Sequence, residues 1–216
     1  SKGHACPSLY AVLARRGYFE RQELWNYRKL GSLLQGHPLY TNALGIDAPS
    51  GSLGMGIGIS CGMAMALKTD FPESRVFCLV GDGELQEGSC WEALMTASHW
   101  KLDNLYVIVD RNGLQMEGET ETIKALEPLK EKFETFGLFC LETCGHDFPS
   151  ICETFAKAAQ EKGFPKAIIA HTKWGRGITL AENGEMPVKA SLSRNQVTLL
   201  LDELSKESAA LSEEER

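Results

Sequence analysis

The sequence predicts an α/β fold whose mostly parallel sheet is covered by helices on both faces. Short continuous apolar runs at residues 76–80 and 105–109 are typical of strands buried in a parallel sheet. Between them, apolar side chains recur at helical spacing, so the segment forms a strand, a helix and a second strand. A weaker copy of this pattern follows, which indicates that the sheet continues.

The length and composition of the chain indicate one globular domain spanning residues 1–216. With 216 residues, 43% of them apolar and 24% charged, the chain is large enough for one substantial core. It begins with Ser1 instead of Met, which leaves open a missing upstream segment.

Three helices are predicted before the first strand, at residues 7–16, 21–29 and 54–68. The third carries Gly56 and Gly58 among other small residues. Glycine inside a helix costs up to about 1 kcal/mol, so its presence indicates close approach of another backbone or of a ligand. Close packing is sufficient to explain it.

The remaining elements follow from the same periodicities. In the first strand–helix–strand unit, the helical spacing is set by Trp91, Leu94, Met95 and Ser98. The second unit comprises a strand at 138–141, a helix at 150–162 and a strand at 167–170. From about residue 190 to 216 we expect a peripheral helix at 196–204 and an acidic tail, with the apolar side of the helix formed by Leu199, Leu200 and Leu204.

Charge and cysteine usage exclude several classes of protein. The formal charge of −7 has no basic cluster, so a nucleic-acid partner is not expected. No apolar stretch approaches the roughly 20 residues of a membrane span. Seven cysteines without a Cys-x-x-Cys pair fit a reducing cytoplasm, and the loose grouping of Cys140, Cys144 and His146 is interpreted as structural, not as a metal site.

Polar residues that could bind a ligand follow both strands of the first unit. Gly81-Asp82-Gly83 ends one strand and Asp110-Arg111-Asn112 ends the other, and ligands of parallel sheets bind at these ends. The Asp82 carboxylate, the Asn112 amide and a backbone carbonyl just beyond it suit Mg²⁺ or Ca²⁺ shared with a phosphate group. The N–H of Gly83, with the next helix N-terminus, would favour an anion.

Two other phosphate-binding motifs do not fit. The glycines at residues 54–58 follow no predicted strand and lack the third glycine of a dinucleotide fingerprint. No Gly-Lys-Ser/Thr of the Walker type occurs.

The residues at the strand ends resemble the thiamine diphosphate motif in its transketolase form. The resemblance rests on residues 81–88, which read GDGELQEG, and on residues 110–114, which read DRNGL. Segments 1–5 (SKGHA), 36–38 (GHP) and 51–56 (GSLGMG) agree with the family in the same order. The similarity extends from residue 1 to about 180 and implies the thiamine diphosphate-binding fold.

The resemblance also implies site residues. Metal binding would fall to Asp82, Asn112 and the carbonyl of Leu114, and diphosphate binding to Gly83. Backbone atoms at three positions would line the cofactor: Gly51, Leu53 and Gly54. His4 and His37 would face a sugar or sugar phosphate substrate, where groups titrating near neutrality transfer protons and donate hydrogen bonds.

The implied activity is transfer of a two-carbon ketol unit from a ketose to an aldose, as in the pentose phosphate pathway. In this family the carboxylate that activates the cofactor lies on a pyrimidine-binding domain, which this chain is too short to contain. Three glutamates, Glu84, Glu87 and Glu92, are therefore poor candidates for that role. The resemblance places Glu87 near a subunit contact, and a solvated helix face is the alternative. We expect a separate pyrimidine-domain subunit, in a dimer or heterotetramer.

The chain departs from the family at two places. No histidine follows His171, although transketolases usually carry one within about a dozen residues of a segment like 173–177. The upstream Gly-His-Pro-Gly-Gly segment is also absent. Three alternatives stay open: a catalytically silent binding or regulatory relative, a deoxyxylulose-phosphate-synthase-like enzyme and a dihydroxyacetone-synthase-like enzyme.

Overall fold

The computed structural model describes residues 1–41, 44–186 and 192–214, with side chains described as far as residue 206. Its strands are β1 (Val76–Gly81), β2 (Leu105–Arg111), β3 (Leu114–Gln115), β4 (Gly118–Glu119), β5 (Phe139–Cys144) and β6 (Lys166–His171). Its helices are α1 (Cys6–Arg15), α2 (Met55–Asp70), α3 (Gly88–His99), α4 (Thr120–Lys124), α5 (Leu129–Thr135), α6 (Phe148–Gln160), α7 (Thr179–Glu182) and α8 (Arg194–Glu214).

Four of the strands form one parallel sheet in the order β1-β2-β6-β5. The register places Gly81 beside Asp110 and Arg111 beside His171, so three strands end at the same edge. The strand–helix–strand units predicted at residues 76–109 and 138–170 are both confirmed. A separate antiparallel pair, β3 with β4, lies just beyond the end of β2.

Helices pack on both faces of the sheet, as predicted. On one face α2, α3 and α5 cover the alternate side chains of the strands and form the main core, which includes Ile57, Leu94, Val107 and Phe133. On the other face α6 packs over Tyr106 and Ile168 through Ala158 and Phe155. This arrangement leaves the carboxyl ends of the strands open between the two helical layers.

A second, smaller core holds the first fifty residues together. It is formed by α1 and the loops that follow, and it contains Cys6, Tyr10, Leu13, Leu34, Leu44 and Ile46. The helix expected at residues 21–29 is wrong in type: a 3₁₀ helix spans Arg21–Asn26. The chain turns there because Arg28 adopts a left-handed φ of 61° and its N–H bonds to the carbonyl of Leu34.

The C-terminal helix is longer than the predicted residues 196–204, and its apolar side differs. Of the three leucines predicted for that side, Leu200 is 8% exposed, whereas Leu199 is 67% and Leu204 is 38% exposed, so only Leu200 is buried. In α3, similarly, Met95 points outward while Leu94 is buried. Residues 187–191, within which the predicted C-terminal region begins at about 190, and its last residues, 215–216, lie outside the described residues. Across the described helices, none is both long and apolar enough to cross a bilayer.

Candidate functional site

A large open cavity lies at the carboxyl ends of β1, β2 and β6. Its volume is about 1280 Å³. Its wall contains eight of the nine residues predicted from the sequence: His4, His37, Gly51, Leu53, Asp82, Gly83, Asn112 and Leu114. The cavity therefore brings together segments that are far apart in the chain.

Asp82 is the carboxylate at the end of β1, and it is only 1% exposed. Its Oδ1 accepts a hydrogen bond from the N–H of Gly83 at 2.8 Å. Its Oδ2 accepts two, from the N–H of Gly113 at 2.7 Å and from Nη1 of Arg111 at 3.0 Å. A buried carboxylate with three donors has a fixed orientation.

Asn112 and Leu114 follow the end of β2, next to Asp82. The N–H of Leu114 donates to Oδ1 of Asn112 at 2.9 Å, in a turn that is completed by Gly113 at a left-handed φ of 75°. Because an amide oxygen accepts two hydrogen bonds, Asn112 keeps acceptor capacity. The N–H of Gly113 also donates to Asp82, so this turn lies against the buried carboxylate.

The oxygen atoms of Asp82, Asn112 and Leu114 are suitable ligands for a divalent cation that also binds phosphate. The described residues contain no group of three or more His, Cys, Asp or Glu side chains able to hold a metal. Asp82 would thus be the single charged protein ligand, with neutral oxygens from Asn112 and Leu114. Mg²⁺ sites of this composition depend on phosphate oxygens for the remaining ligands.

A helix begins at Gly83, as predicted, but it is a short 3₁₀ helix and not α3, and anion binding at the N–H of Gly83 stays a prediction. Asp82 caps a 3₁₀ helix of four residues, Gly83–Gln86, and α3 begins only at Gly88. The N–H of Gly83 already donates to Asp82. A Cβ on Gly83 would lie 2.9 Å from Cβ of Gln115, so glycine allows the two cavity walls to approach.

Glu84 is a buried residue whose contribution the sequence did not reveal. It is 2% exposed, whereas Glu92 and Glu87, for which a solvated helix face is the alternative, are both exposed. Its Oε1 accepts from the N–H of Gly54 at 2.8 Å and its Oε2 from the N–H of Gly81 at 3.2 Å.

Gly54 lies behind the cavity wall formed by Gly51 and Leu53. It adopts a left-handed φ of 84°, and a Cβ there would lie 2.5 Å from Oγ of Ser89. That hydroxyl donates to the carbonyl of Gly54 at 3.1 Å. Because its N–H and its carbonyl are both hydrogen-bonded to side chains of the protein, Gly54 supports the cavity wall from the side away from the cavity.

His4 and His37 face the cavity from the first fifty residues. The Cβ position of Gly3 is 2.7 Å from the ring of His37, so only glycine lets this ring lie so close. Burial, with the charge of Lys2, lowers the pKa of His4 below its usual 6.5. The imidazole of His4 is therefore neutral at pH 7 and can accept as well as donate a proton.

A polar group of three residues, which the sequence did not single out, completes this wall. Lys2 and Thr172 both donate to the carboxylate of Asp110, one to each oxygen. Burial would raise the pKa of Asp110, but the hydrogen bonds from Lys2 and Thr172 outweigh it and hold the pKa below its usual range. The group joins the N-terminal segment to the ends of β2 and β6.

A further histidine, His146, lies on the opposite wall with residues 173–175. Its Nε2 accepts from the N–H of Lys173 at 2.7 Å, so the proton on the neutral ring is on Nδ1. His171, at the end of β6, does not line the cavity and bonds to Glu142 at 2.7 Å. Sequence reasoning missed His146 because its role depends on a contact between two loops.

Comparison with known proteins gives a family match over nearly the whole chain. The family described as "Transketolase, thiamine diphosphate binding domain" matches residues 1–210. The transketolase of Homo sapiens is 42% identical over 205 residues, which cover 94% of this chain and 32% of that protein. One subunit of the apulose-4-phosphate transketolase of Actinobacillus succinogenes is 38% identical over 207 residues, covering 96% of this chain and 75% of that protein.

Solved structures agree with the sequence matches. A transketolase from Campylobacter jejuni superposes with a TM-score of 0.79 at 34% identity, over 86% of this chain and 30% of that one. A transketolase from Leishmania mexicana gives 0.78 at 29% identity, over 97% of this chain and 36% of that one. The chain thus spans about a third of the transketolases it matches and three quarters of the Actinobacillus succinogenes relative.

Proposed function

The chain belongs to the transketolase family and carries its thiamine diphosphate-binding domain, and from this premise we propose that it is the diphosphate-binding subunit of a split transketolase. Together with a pyrimidine-domain subunit, it would transfer a two-carbon ketol unit from a ketose to an aldose. The observation that supports this most is the cavity at the strand ends, where Asp82, Asn112 and Leu114 meet.

In this proposal the three residues hold a divalent cation, Mg²⁺ or Ca²⁺, that binds the diphosphate of the cofactor. Thiamine diphosphate, when bound, supplies the carbanion chemistry by which the carbon–carbon bond is broken and formed. The chain supplies orientation: Gly83 allows close approach of the diphosphate, and Gly51 and Leu53 form the wall beside it. Gly54, through Glu84, keeps that wall in place.

The histidines would bind and move protons on the sugar. His4 is neutral at pH 7 because its pKa is lowered, so its ring can accept a proton from a substrate hydroxyl. His37, on the same wall, would donate or accept a second hydrogen bond. Lys2, held by Asp110, adds positive charge beside them.

The partner is proposed because two relatives that this chain matches are themselves named as single subunits of a transketolase. Those two relatives are named for apulose-4-phosphate, and a sugar phosphate is the substrate class we propose here. We expect a dimer or heterotetramer in which the partner supplies the activating carboxylate and most of the acceptor site.

A different activity within the fold is the second candidate. No histidine follows His171 in the sequence, and the cavity wall at residues 173–175 is formed by Lys173, Trp174 and Gly175. This difference favours an altered donor, as in a deoxyxylulose-phosphate-synthase-like or dihydroxyacetone-synthase-like enzyme, or a silent binding relative. Activity assays with ketose, pyruvate and formaldehyde substrates would separate these cases.

The metal assignment has a direct test. In a mixture with the pyrimidine-domain subunit, we expect thiamine diphosphate to bind only when Mg²⁺ or Ca²⁺ is present, and chelation to release it. Asp82→Ala should weaken this binding by about 100-fold or more, because it removes the single charged ligand. Calorimetric titration measures the affinity.

Asp70→Ala serves as the control, because Asp70 is an exposed carboxylate at the end of α2. It should bind the cofactor as the unsubstituted chain does. An unchanged affinity of Asp82→Ala for thiamine diphosphate would contradict the proposed metal site.

A further inference from the structure

Arg111 is a nearly buried cation next to the proposed metal site, and no role has so far been assigned to it. It is the last residue of β2, and its side chain is 10% exposed. Its guanidinium contacts four side chains: Asp82, Thr120, Glu121 and Glu127. A planar guanidinium with five N–H groups can hold such a set in one fixed geometry, which an ammonium cannot.

The contact with Asp82 determines which carboxylate oxygen is left for a metal. Each carboxylate oxygen has about two acceptor positions. On Oδ2 both are taken, by Arg111 at 3.0 Å and by the N–H of Gly113 at 2.7 Å. On Oδ1 only the N–H of Gly83 donates, so one position remains. Asp82 can therefore offer a cation one oxygen, Oδ1.

The other contacts of Arg111 hold the wall that follows Asn112. Nη1 donates to Oγ1 of Thr120 at 2.7 Å, and Nη2 donates to Glu121 at 2.7 Å and to Glu127 at 3.0 Å. These two carboxylates in turn accept from the N–H groups of Leu126 and Leu129. The segment between Gly113 and Glu127 contributes Leu114, Gln115, Met116 and Ile123 to the cavity.

One guanidinium thus faces three carboxylates, Asp82, Glu121 and Glu127. The surplus of negative charge favours a cation beside Asp82. Because the same side chain fixes Asp82 and the loop that carries Leu114, the ligands of the site are held relative to one another by Arg111.

We propose that Arg111 is the positioning residue of the cofactor site and that it sets the metal preference, by restricting Asp82 to a one-oxygen contact through Oδ1. This rests on the proposed function. Mg²⁺ requires a small, nearly octahedral shell, which a one-oxygen carboxylate suits, whereas Ca²⁺ also accepts both oxygens of a carboxylate. Arg111 therefore favours Mg²⁺ over Ca²⁺.

The first test needs no cofactor. Amide hydrogen exchange is measured on the full chain and on Arg111→Met, with Arg111→Lys as the variant that keeps the charge and Arg16→Met as an exposed control. Loss of the guanidinium should speed exchange at Gly113, Thr120, Leu126 and Leu129 by about tenfold or more, in Arg111→Met and in Arg111→Lys alike. Exchange that stays unchanged at all four amides would overturn the proposal.

The second test is the metal preference. Thiamine diphosphate is titrated into the chain mixed with the pyrimidine-domain subunit, once with Mg²⁺ and once with Ca²⁺. In Arg111→Met the affinity with Mg²⁺ should fall by about 10-fold to 100-fold, as for other residues that orient metal ligands. The affinity with Ca²⁺ should fall less, because one acceptor position on Oδ2 becomes free while the N–H of Gly113 keeps the other. The ratio of the two affinities then shifts toward Ca²⁺.

The outcomes separate this proposal from the proposed function. If the unsubstituted chain binds the cofactor with neither metal, the proposed function is wrong, and the exchange experiment alone decides on Arg111. If it binds and the affinity ratio in Arg111→Met is unchanged, the metal preference is not set by Arg111. If Arg111→Met fails to fold, the affinity ratio is measured on Arg111→Lys. A lysine ammonium cannot contact the partners of Arg111 in the same geometry, so the same shift is expected.

Discussion

At the scale of single residues, the site depends on how each carboxylate is satisfied. Asp82 and Glu84 are separated by one residue and both are buried, yet they bond to different segments. Asp82 receives donors from the turn after β2, whereas Glu84 receives them from Gly54 and Gly81. Both line the cavity, but Glu84 joins two segments of its wall, whereas Asp82 keeps one acceptor position for a metal.

The lowered pKa of His4 predicts a pH-dependent stability. The folded chain binds a proton on His4 less readily than the unfolded chain does, so His4 contributes stability above pH 6.5 that is lost as the pH falls below it. Between pH 7.5 and pH 5, His4→Asn should lose less free energy of unfolding than the unsubstituted chain does. Urea denaturation at the two pH values measures the difference.

His99→Asn is the comparison variant, because His99 is exposed on α3. It should follow the unsubstituted chain at both pH values. Equal losses in His4→Asn and in the unsubstituted chain would show that burial and Lys2 do not disfavour the charged form of His4.

At the scale of elements, the sheet edge and the start of α2 are joined through Glu84. Its two oxygens bond to the last residue of β1, Gly81, and to the residue before α2, Gly54. The hydroxyl of Ser1 also donates to it. A single side chain thus fixes the angle at which α2 leaves the cavity wall.

Removal of this link should be costly. Glu84→Ala leaves two buried N–H groups without acceptors, and we expect a loss of about 3 kcal/mol in the free energy of unfolding. Glu84→Gln should lose less, about 1–2 kcal/mol, because its amide oxygen still accepts from one of the two N–H groups.

Chemical denaturation measures these losses, with Glu92→Ala as the exposed control, which should change stability by less than about 0.5 kcal/mol. A loss in Glu84→Ala no larger than that of the control would contradict the proposed link.

The elements themselves were largely predictable. The four strands of the parallel sheet and helices α1, α2, α3 and α6 lie within a few residues of their predicted positions, because apolar runs and helical spacing are local properties of the chain. Two features were not predictable: the 3₁₀ helix at Arg21–Asn26 and the outward position of Leu199. Both depend on what packs against the segment, which periodicity does not report.

At the scale of the whole molecule, the chain forms one wall of the proposed site. The cavity is open, and two of the apolar side chains that line it, Leu53 and Met116, are exposed. The chain covers about a third of the length of the transketolases it matches. In the proposed split enzyme, another chain would complete the active site.

We therefore predict that the purified chain has no ketol-transfer activity by itself. Activity should appear when the pyrimidine-domain subunit, thiamine diphosphate and Mg²⁺ are added together, because the activating carboxylate is expected on the partner. A coupled assay with a ketose phosphate donor and an aldose phosphate acceptor measures it. Turnover by the purified chain would refute the requirement for a partner.

The candidate site was predictable in part. Asp82 and Asn112 could be paired from the sequence because parallel strands end at one edge, so residues after neighbouring strands converge. The position of His146 in the cavity wall and the pairing of Lys2 with Asp110 could not be predicted. Each arises from a contact between segments that no local pattern connects.

The sequence by itself determined the α/β fold and the cofactor class, and it predicted the edge of the sheet at which a ligand would bind. It could do so because strand ends and family motifs each lie within short segments of the chain. Only the tertiary structure decided which glutamate is buried, which oxygen of Asp82 remains for a metal and where Gly54 lies. Burial and hydrogen bonding are properties of surroundings, and residues far apart in the chain supply them. The Gly81–Gly83 turn thus carries the proposed metal ligand, and Arg111 and Glu84 hold the segments around it in place.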